Sequence, residues 1–137
     1  MNPVVVDSSV AFKWLASIGE HAVPEAISLF MDHRSGAVLL TAPATLHVEL
    51  ASALKNYPHF LEENTTEAVS QLGNLAIVLV DATPERLAAA VTLSYRHGIS
   101  VYDALFLALA EELQCPLVTA DRRAFAGIET AVEIRLL

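Results

Sequence analysis

The sequence is poor in several features that define specialised classes of protein. Cys115 is its single cysteine, which excludes an internal disulfide and indicates a reducing compartment such as the cytoplasm. No run of about eighteen residues is free of charge, so we expect no membrane-spanning helix. No basic segment precedes the first apolar run, which argues against a signal peptide.

Cofactor and zinc motifs are also missing. No Gly-rich loop follows a predicted strand, which argues against an enzyme with a nucleotide cofactor. The five histidines form no paired zinc motif such as H-E-x-x-H. A phosphoryl-accepting regulatory domain would place a lysine near the last strand, and that region contains none.

Positive charge is scarce too. Eight basic residues face sixteen acidic ones, for a net charge of −8. Such a balance argues against a nucleic-acid partner, unless part of the excess is a group of carboxylates that holds a cation. Apolar residues make up 54% of the 137 residues, which predicts one folded domain over residues 1–137. The same apolar fraction favours an oligomer or a protein partner.

Short apolar runs alternate with helical patterns along the whole chain. The predicted strands are Pro3–Val6, Ala37–Thr41, Leu75–Val80, Leu117–Thr119 and Val132–Leu136. The predicted helices are Val10–Leu15, Val23–His33, Pro43–Tyr57, Asn64–Gly73, Thr83–Gly98 and Ser100–Leu113. Ser8 and Ser9 offer hydroxyls that can cap the first helix. Strands that alternate with helices predict an α/β fold with a mostly parallel, five-stranded sheet.

The segment Ile99–Phe125 combines a capped helix, a buried strand and two acids. Ser100 and Asp103 form the N-terminal signal of the helix, and Asp121 follows the strand. A helix packed between two parallel strands runs opposite to them, so its start and the end of the next strand lie at the same edge of the sheet. We therefore predict that Asp103 and Asp121 are neighbours in space.

Two further acids extend this pair. Asp7 ends the first strand and, with the strand order 3-2-1-4-5, faces the same crevice as Asp121, because ligands of open α/β sheets bind where the strand order reverses. Glu49 is predicted about two turns into the helix that begins at Pro43, at the edge of its apolar face. An unpaired buried carboxylate is costly, and a cation shared by the four acids would remove that cost.

Helix capping is the alternative explanation for the three aspartates. Asp7, Asp103 and Asp121 could each stabilise a helix N-terminus by about 1 kcal/mol, and Glu49 could reach solvent. Four acids that converge on one crevice are much less expected from capping alone. Asp81 also ends a strand, but at the margin of the sheet, so we interpret it as a turn residue.

The acids lie in the four motifs VVVDSSV, LHVELASAL, SVYDALFLALA and LVTADRRAF. In order and spacing these motifs resemble the PIN-domain nucleases, and most of all the single-domain toxins of VapBC-type toxin–antitoxin pairs. The resemblance covers essentially the whole chain. It implies a three-layer α/β/α sandwich, RNA cleavage that depends on Mg²⁺ or Mn²⁺, an antitoxin protein that covers the site, and a homodimer.

The resemblance also assigns roles to individual residues. The implied catalytic and metal-binding residues are Asp7, Glu49, Asp103 and Asp121. Hard cations such as Mg²⁺ prefer carboxylate and water oxygens, and we expect Asp7 and Asp103 to bind the metal most directly. In-line attack of water on the phosphodiester would leave a 5′-phosphate and a 3′-hydroxyl.

The residues around the last acid both match the family and depart from it. Thr119 matches a hydroxyl common just before this acid. Some members carry another acid or asparagine a few positions later, whereas Arg122, Arg123 and Ala124 follow here. This departure leaves open whether a second metal is held. We predict Thr119 and the two arginines as substrate-binding residues, with a solvated pair of arginines as the alternative. For the whole chain, a non-catalytic PIN-like module that binds RNA or protein is the alternative function.

Overall fold

A parallel sheet of five strands forms the centre of the computed structural model, which describes residues 2–137. The strands are β1 (Pro3–Val6), β2 (Leu39–Pro43), β3 (Val78–Val80), β4 (Leu117–Thr119) and β5 (Ile134–Leu136). Their order is β3-β2-β1-β4-β5, and every neighbouring pair is parallel. The predicted order 3-2-1-4-5 is confirmed.

Helices connect the strands. They are α1 (Ser8–Leu15), α2 (Val23–Ser35), α3 (Leu46–Lys55), α4 (Glu62–Ser70), α5 (Pro84–His97), α6 (Val101–Leu113) and α7 (Arg122–Phe125), with a short 3₁₀ helix over Leu72–Leu75. The start and end of α5 were predictable, because the Thr83 hydroxyl accepts a hydrogen bond from Arg86 N and Gly98 adopts φ 67° at the C-terminus. No helix within residues 2–137 is long and apolar enough to cross a bilayer.

The sheet is covered on both faces, which makes three layers. Side chains alternate along β1, so that Val5 packs on one face with α3, α5 and α6, where Leu50 and Leu107 are fully buried. Val4 and Val6 pack on the other face against α2. Strands covered on both faces are expected to be continuous apolar runs, and β1 is the clearest case, with Val4, Val5 and Val6 all buried.

The predicted boundary between β2 and α3 was wrong. Pro43 is the last residue of β2, not the first turn of a helix, and α3 begins only at Leu46. Proline lacks an N–H group, but Pro43 lies beyond Thr41, the last residue of β2 that pairs with β1. Ala44 N then donates to Val80 O at 2.8 Å. As a consequence, Glu49 lies in the first turn of α3 instead of two turns in.

Three smaller predictions also need correction, and one short helix went unpredicted. The helix predicted from Asn64 begins earlier, and the Asn64 side chain accepts from Leu61 N at 2.9 Å from within the first turn. Leu75 is buried in the 3₁₀ helix, so β3 is shorter than predicted. The strand predicted from Val132 starts two residues later, at the first residue of β5. Helix α7 was not predicted.

Candidate functional site

Two aspartates lie just beyond the carboxyl ends of two adjacent strands in the middle of the sheet. Asp7 follows β1 directly, is 4% exposed and accepts from Val10 N at 3.3 Å. Asp121 follows β4 after one residue and accepts from Ala124 N at 3.1 Å. Both carboxylates therefore cap the helix that follows, and Asp7 does so in place of the predicted serine cap. These caps are compatible with a role in a binding crevice, because both aspartates lie at the point where the strand order reverses.

Two hydroxyl groups tie these aspartates together. The Thr119 hydroxyl donates to Asp7 Oδ2 and accepts from Asp121 N at 3.0 Å. The Ser9 hydroxyl donates to Asp7 Oδ1 at 2.6 Å and accepts from Ala120 N at 2.8 Å. Thr119 has no exposed surface, which favours a positioning role over the substrate contact predicted from the sequence. Ser9 was missed as a site residue, although a hydroxyl two positions after a strand-end acid was a usable signal.

Glu49 enters the site from α3. Thr45 Oγ1 donates to its Oε2 at 3.0 Å, and Ser8 Oγ donates to its Oε1 at 3.4 Å. The contact with Ser8 brings α3 to the start of α1, next to Asp7. Glu49 is only half-buried and forms no ion pair within residues 2–137, so hydroxyl groups are its partners.

Asp103 lies in the first turn of α6, where its own N–H donates to Ser100 Oγ at 3.0 Å. Burial raises the pKa of Asp103, and the nearby charge of Asp121 raises it further. Asp103 in turn contributes to the raised pKa values of Asp7 and Glu49. It is therefore the acid that is electrostatically coupled to the three others.

Among these acids, Asp7 and Glu49 have the largest rises in pKa. Burial raises the pKa of Asp7 to about 6, against hydrogen bonds from Ser9, Thr119 and Val10 N that lower it. Burial also raises the pKa of Glu49 to about 7, with like charges on Asp103 and Asp7 adding to the effect. Loss of solvation and repulsion between carboxylates both disfavour the ionised forms. A cation would reverse both effects.

The oxygen ligands of the site suit a hard cation, but they are not positioned to coordinate one without rearrangement. All the donors are oxygens, from four carboxylates and the hydroxyl groups beside them, and such ligands fit Mg²⁺ and Mn²⁺. The ion pairs of the described chain leave all four acids unpaired. Within residues 2–137, however, no three acids already stand close enough together to hold a metal. Side-chain adjustment would have to accompany metal binding.

The neighbourhood of the site contains both exposed cations and an exposed aromatic ring. Arg122 and Arg123 are exposed in α7, directly after Asp121. Tyr102 is 64% exposed beside Asp103. Asp81, by contrast, ends the outer strand β3 and is exposed, as expected for a turn residue.

A cavity of about 470 Å³ adjoins the acids on the side of α1. It is lined by residues that include Ser9, Phe12, Lys13, Glu20, Tyr57 and Asp121. Lys13 Nζ donates to Glu20 Oε1 at 3.0 Å from an almost fully buried position. This pair was not predicted from the sequence, although a lysine between Phe12 and Trp14 on an apolar helix was a signal for it.

Comparison with known proteins identifies the family to which the chain is similar. A model of the PIN domain matches residues 4–130. Ribonuclease VapC1 of Mycobacterium tuberculosis (strain ATCC 25618 / H37Rv) is 30% identical over 145 aligned positions, which cover 100% of this chain and 99% of the relative. The same enzyme from strain CDC 1551 / Oshkosh matches equally.

Solved structures share the fold. VapC20 of Mycobacterium tuberculosis, a toxin that cleaves the Sarcin-Ricin loop, aligns with a TM-score of 0.71 at 15% identity, over 95% of this chain and 98% of that one. VapBC2 from Rickettsia felis, bound to a DNA fragment from its promoter, aligns with a TM-score of 0.68 at 11% identity, over 98% of both chains. A toxin–antitoxin complex from Klebsiella pneumoniae aligns with a TM-score of 0.59 at 20% identity, over 96% of this chain and 99% of that one.

Proposed function

The chain belongs to the PIN-domain family, and from this we propose that it is an endoribonuclease that hydrolyses RNA phosphodiester bonds, the toxin of a toxin–antitoxin pair. The observation that carries the proposal is the convergence of four carboxylates at one edge of the sheet. Thr119 links Asp7 to Asp121, and Ser8 at the start of α1 contacts Glu49. Repulsion among the carboxylates contributes to the raised pKa values of three of them. Ribonuclease VapC1, which aligns with this chain over nearly the whole length of both proteins, supports the proposed activity.

We propose that Asp7 and Asp103 hold a divalent cation most directly, and that Glu49 and Asp121 complete the site. The choice rests on position, since Asp7 is central in the sheet and Asp103 is coupled to the other acids. When bound, Mg²⁺ or Mn²⁺ would polarise the phosphate and lower the pKa of a water molecule.

The chain's own residues would then orient the reactants. Glu49 or Asp121 would accept a hydrogen bond from the attacking water, because both lie beside the proposed metal ligands. Thr119 would keep the Asp7 carboxylate in place. The exposed guanidinium groups of Arg122 and Arg123 would contact RNA phosphates, since they follow Asp121 directly. In-line attack would produce a 5′-phosphate and a 3′-hydroxyl.

An antitoxin protein and a second copy of the chain are the proposed protein partners. The antitoxin is proposed because solved structures of this fold include toxin–antitoxin complexes. The second copy is proposed because Leu87, Val91 and Tyr95 form an exposed apolar stripe at four-residue spacing on α5. Covering such a stripe is favourable, and a symmetric dimer would cover both copies at once.

RNA cleavage by the purified, partner-free protein tests the proposal. We expect cleavage with Mg²⁺ or Mn²⁺, none with a chelator, and a loss of about a hundredfold or more in Asp103→Asn. Asp81→Asn, which removes an acid at the outer strand, should cleave like the unchanged protein. Cleavage that survives in Asp103→Asn would reveal a contaminating nuclease. Neither cleavage nor metal binding would refute the nuclease function and leave the non-catalytic binding module.

A further inference from the structure

The cavity beside α1 joins the acidic site to a buried ion pair. Ser9 and Asp121 line one part of it, and Lys13 and Glu20 line another. Its volume, about 470 Å³, lies within the range of about 300–1,000 Å³ that is typical of small-ligand pockets. Because Ser9 and Asp121 belong to its lining, the cavity adjoins the proposed catalytic site.

The two side chains of the ion pair in this cavity differ in solvent exposure. The Lys13 side chain is 2% exposed, whereas the Glu20 side chain is 27% exposed. Lys13 donates to one carboxylate oxygen and so fixes the orientation of the group. A buried ion pair stabilises a fold little better than apolar residues of the same size. A partly exposed carboxylate held in one orientation is instead suited to accept hydrogen bonds from a ligand.

The chemistry of the cavity favours a base over a phosphate. The charges of Glu20 and Lys13 offset each other across their 3.0 Å contact, so this pair offers no net positive charge to a phosphate group. Among the RNA bases, guanine presents two adjacent N–H donors, N1–H and the 2-amino group, which match the two oxygens of a carboxylate. Phe12 and Tyr57 pack edge-to-face against each other, with ring centroids 5.3 Å apart, and together form one apolar side of the cavity. Unpaired bases are recognised in RNA by such combinations of apolar contact and hydrogen bonds to the base edge.

We propose that this cavity binds an unpaired guanine of the RNA, with Glu20 accepting from N1–H and the 2-amino group and Lys13 positioning Glu20. The proposal rests on the proposed ribonuclease function and specifies the base beside the cleavage site. Glu20 is then the residue that determines specificity, and Lys13 acts through it.

Nucleoside binding tests the cavity without any need for catalysis. The full chain would be titrated with guanosine, inosine and adenosine and followed by NMR chemical shifts. Guanosine should bind more tightly than inosine, which lacks the 2-amino group, and should bind about tenfold or more weakly to Glu20→Gln. Glu25→Gln, an exposed acid of α2 that does not line the cavity, is the matched control and should bind guanosine normally.

Cleavage of RNA with a randomised unpaired loop provides the second arm. Guanine should be enriched beside the cut for the unchanged protein and for Glu25→Gln, and the enrichment should disappear in Glu20→Gln. Equal binding of guanosine to both Glu variants would overturn the proposal, whatever the nuclease result. Absence of both cleavage and metal binding, with normal guanosine binding, would refute the ribonuclease function and leave the guanine site. An antitoxin that binds Glu20→Gln more weakly, with guanosine binding unchanged, would assign the cavity to protein recognition and overturn the proposal.

Discussion

The Thr119 hydroxyl donates a hydrogen bond to the Asp7 carboxylate across 112 positions of the sequence. The same oxygen accepts from Asp121 N, so one buried side chain joins two acids from different strands. Replacing it by valine keeps the shape and removes both contacts. A buried polar group that loses its partner costs about 1–3 kcal/mol.

We therefore predict that Thr119→Val lowers the free energy of unfolding by about 1–3 kcal/mol and reduces RNA cleavage. The effect on stability should be larger at pH 8 than at pH 5, because the lost hydrogen bond favours the ionised form of Asp7. Urea denaturation at both pH values measures this. Thr119→Ser, which retains the hydroxyl, should keep most of the activity; equal losses in both variants would contradict a role through the hydrogen bond.

The stability of the metal-free protein should depend on pH in the direction set by Asp7 and Glu49. Their folded-state pKa values, about 6 and about 7, lie above the ordinary values of 3.8 and 4.5, so the folded protein holds these protons more tightly. Ionising these two groups therefore lowers the free energy of unfolding. This loss of stability is absent below about pH 4 and complete above about pH 7. For Asp7 it is on the order of 3 kcal/mol. We expect this contribution to lower the Tm as the pH rises through that window.

Asp7→Asn separates this effect from other titrations. The variant should be more stable than the unchanged protein at pH 8 without metal, and the difference should vanish near pH 4. Mg²⁺ should raise the Tm of the unchanged protein at pH 8 more than that of Asp7→Asn. Asp81→Asn is the control and should show neither difference. A loss of stability in Asp7→Asn at pH 8 would mean that the cap to Val10 N outweighs repulsion among the acids.

The two partners of the ion pair between Lys13 and Glu20 should respond unequally to mutation. Glu20→Ala leaves the deeply buried Lys13 ammonium unpaired, and we predict a loss of about 3 kcal/mol in the free energy of unfolding. Lys13→Met leaves a carboxylate that solvent can reach, so its cost should be smaller. The double variant should recover part of the loss of Glu20→Ala. Equal costs for both single variants would show that the pair is not buried asymmetrically in solution.

The arginines of α7 should contribute to RNA affinity through phosphate contacts. In an inactive Asp103→Asn background, replacing Arg122 and Arg123 by glutamine should weaken binding and reduce the slope of log K against log salt by about 1.4, which is about 0.7 for each contact. The matched control replaces Arg34 and Arg135, which are exposed elsewhere. An unchanged slope in the first double variant would remove these arginines from the RNA interface.

The apolar stripe of α5 predicts how the chain associates. Tyr95 is 88% exposed and Val91 lies one turn before it, so a charge at either position should disfavour a dimer that buries the stripe. We expect Val91→Glu to shift the protein from dimer to monomer in size-exclusion chromatography with light scattering. Ala89→Glu, on another face of the same helix, should leave the dimer intact. A strict monomer of the unchanged protein at micromolar concentration would exclude the dimer.

The sequence by itself determined the architecture and the position of the acids along it. Apolar runs separated by helical patterns predicted the parallel sheet and its order, because these features depend on periodicity and on the local signals that start and end helices. Asp7 and Asp121 were placed at one edge by the same reasoning, since the direction of parallel strands decides where their ends meet.

Only the tertiary structure decided what surrounds these acids. Pro43 was compatible with a helix or a strand, and its pairing beside β3 selected the strand and moved Glu49 into the first turn of α3. The burial of Thr119 between two aspartates and the approach of Lys13 to Glu20 depend on contacts between separate elements. Local periodicity carries no information on such contacts, because packing of the elements against one another decides which polar groups lose solvent and which partners replace it.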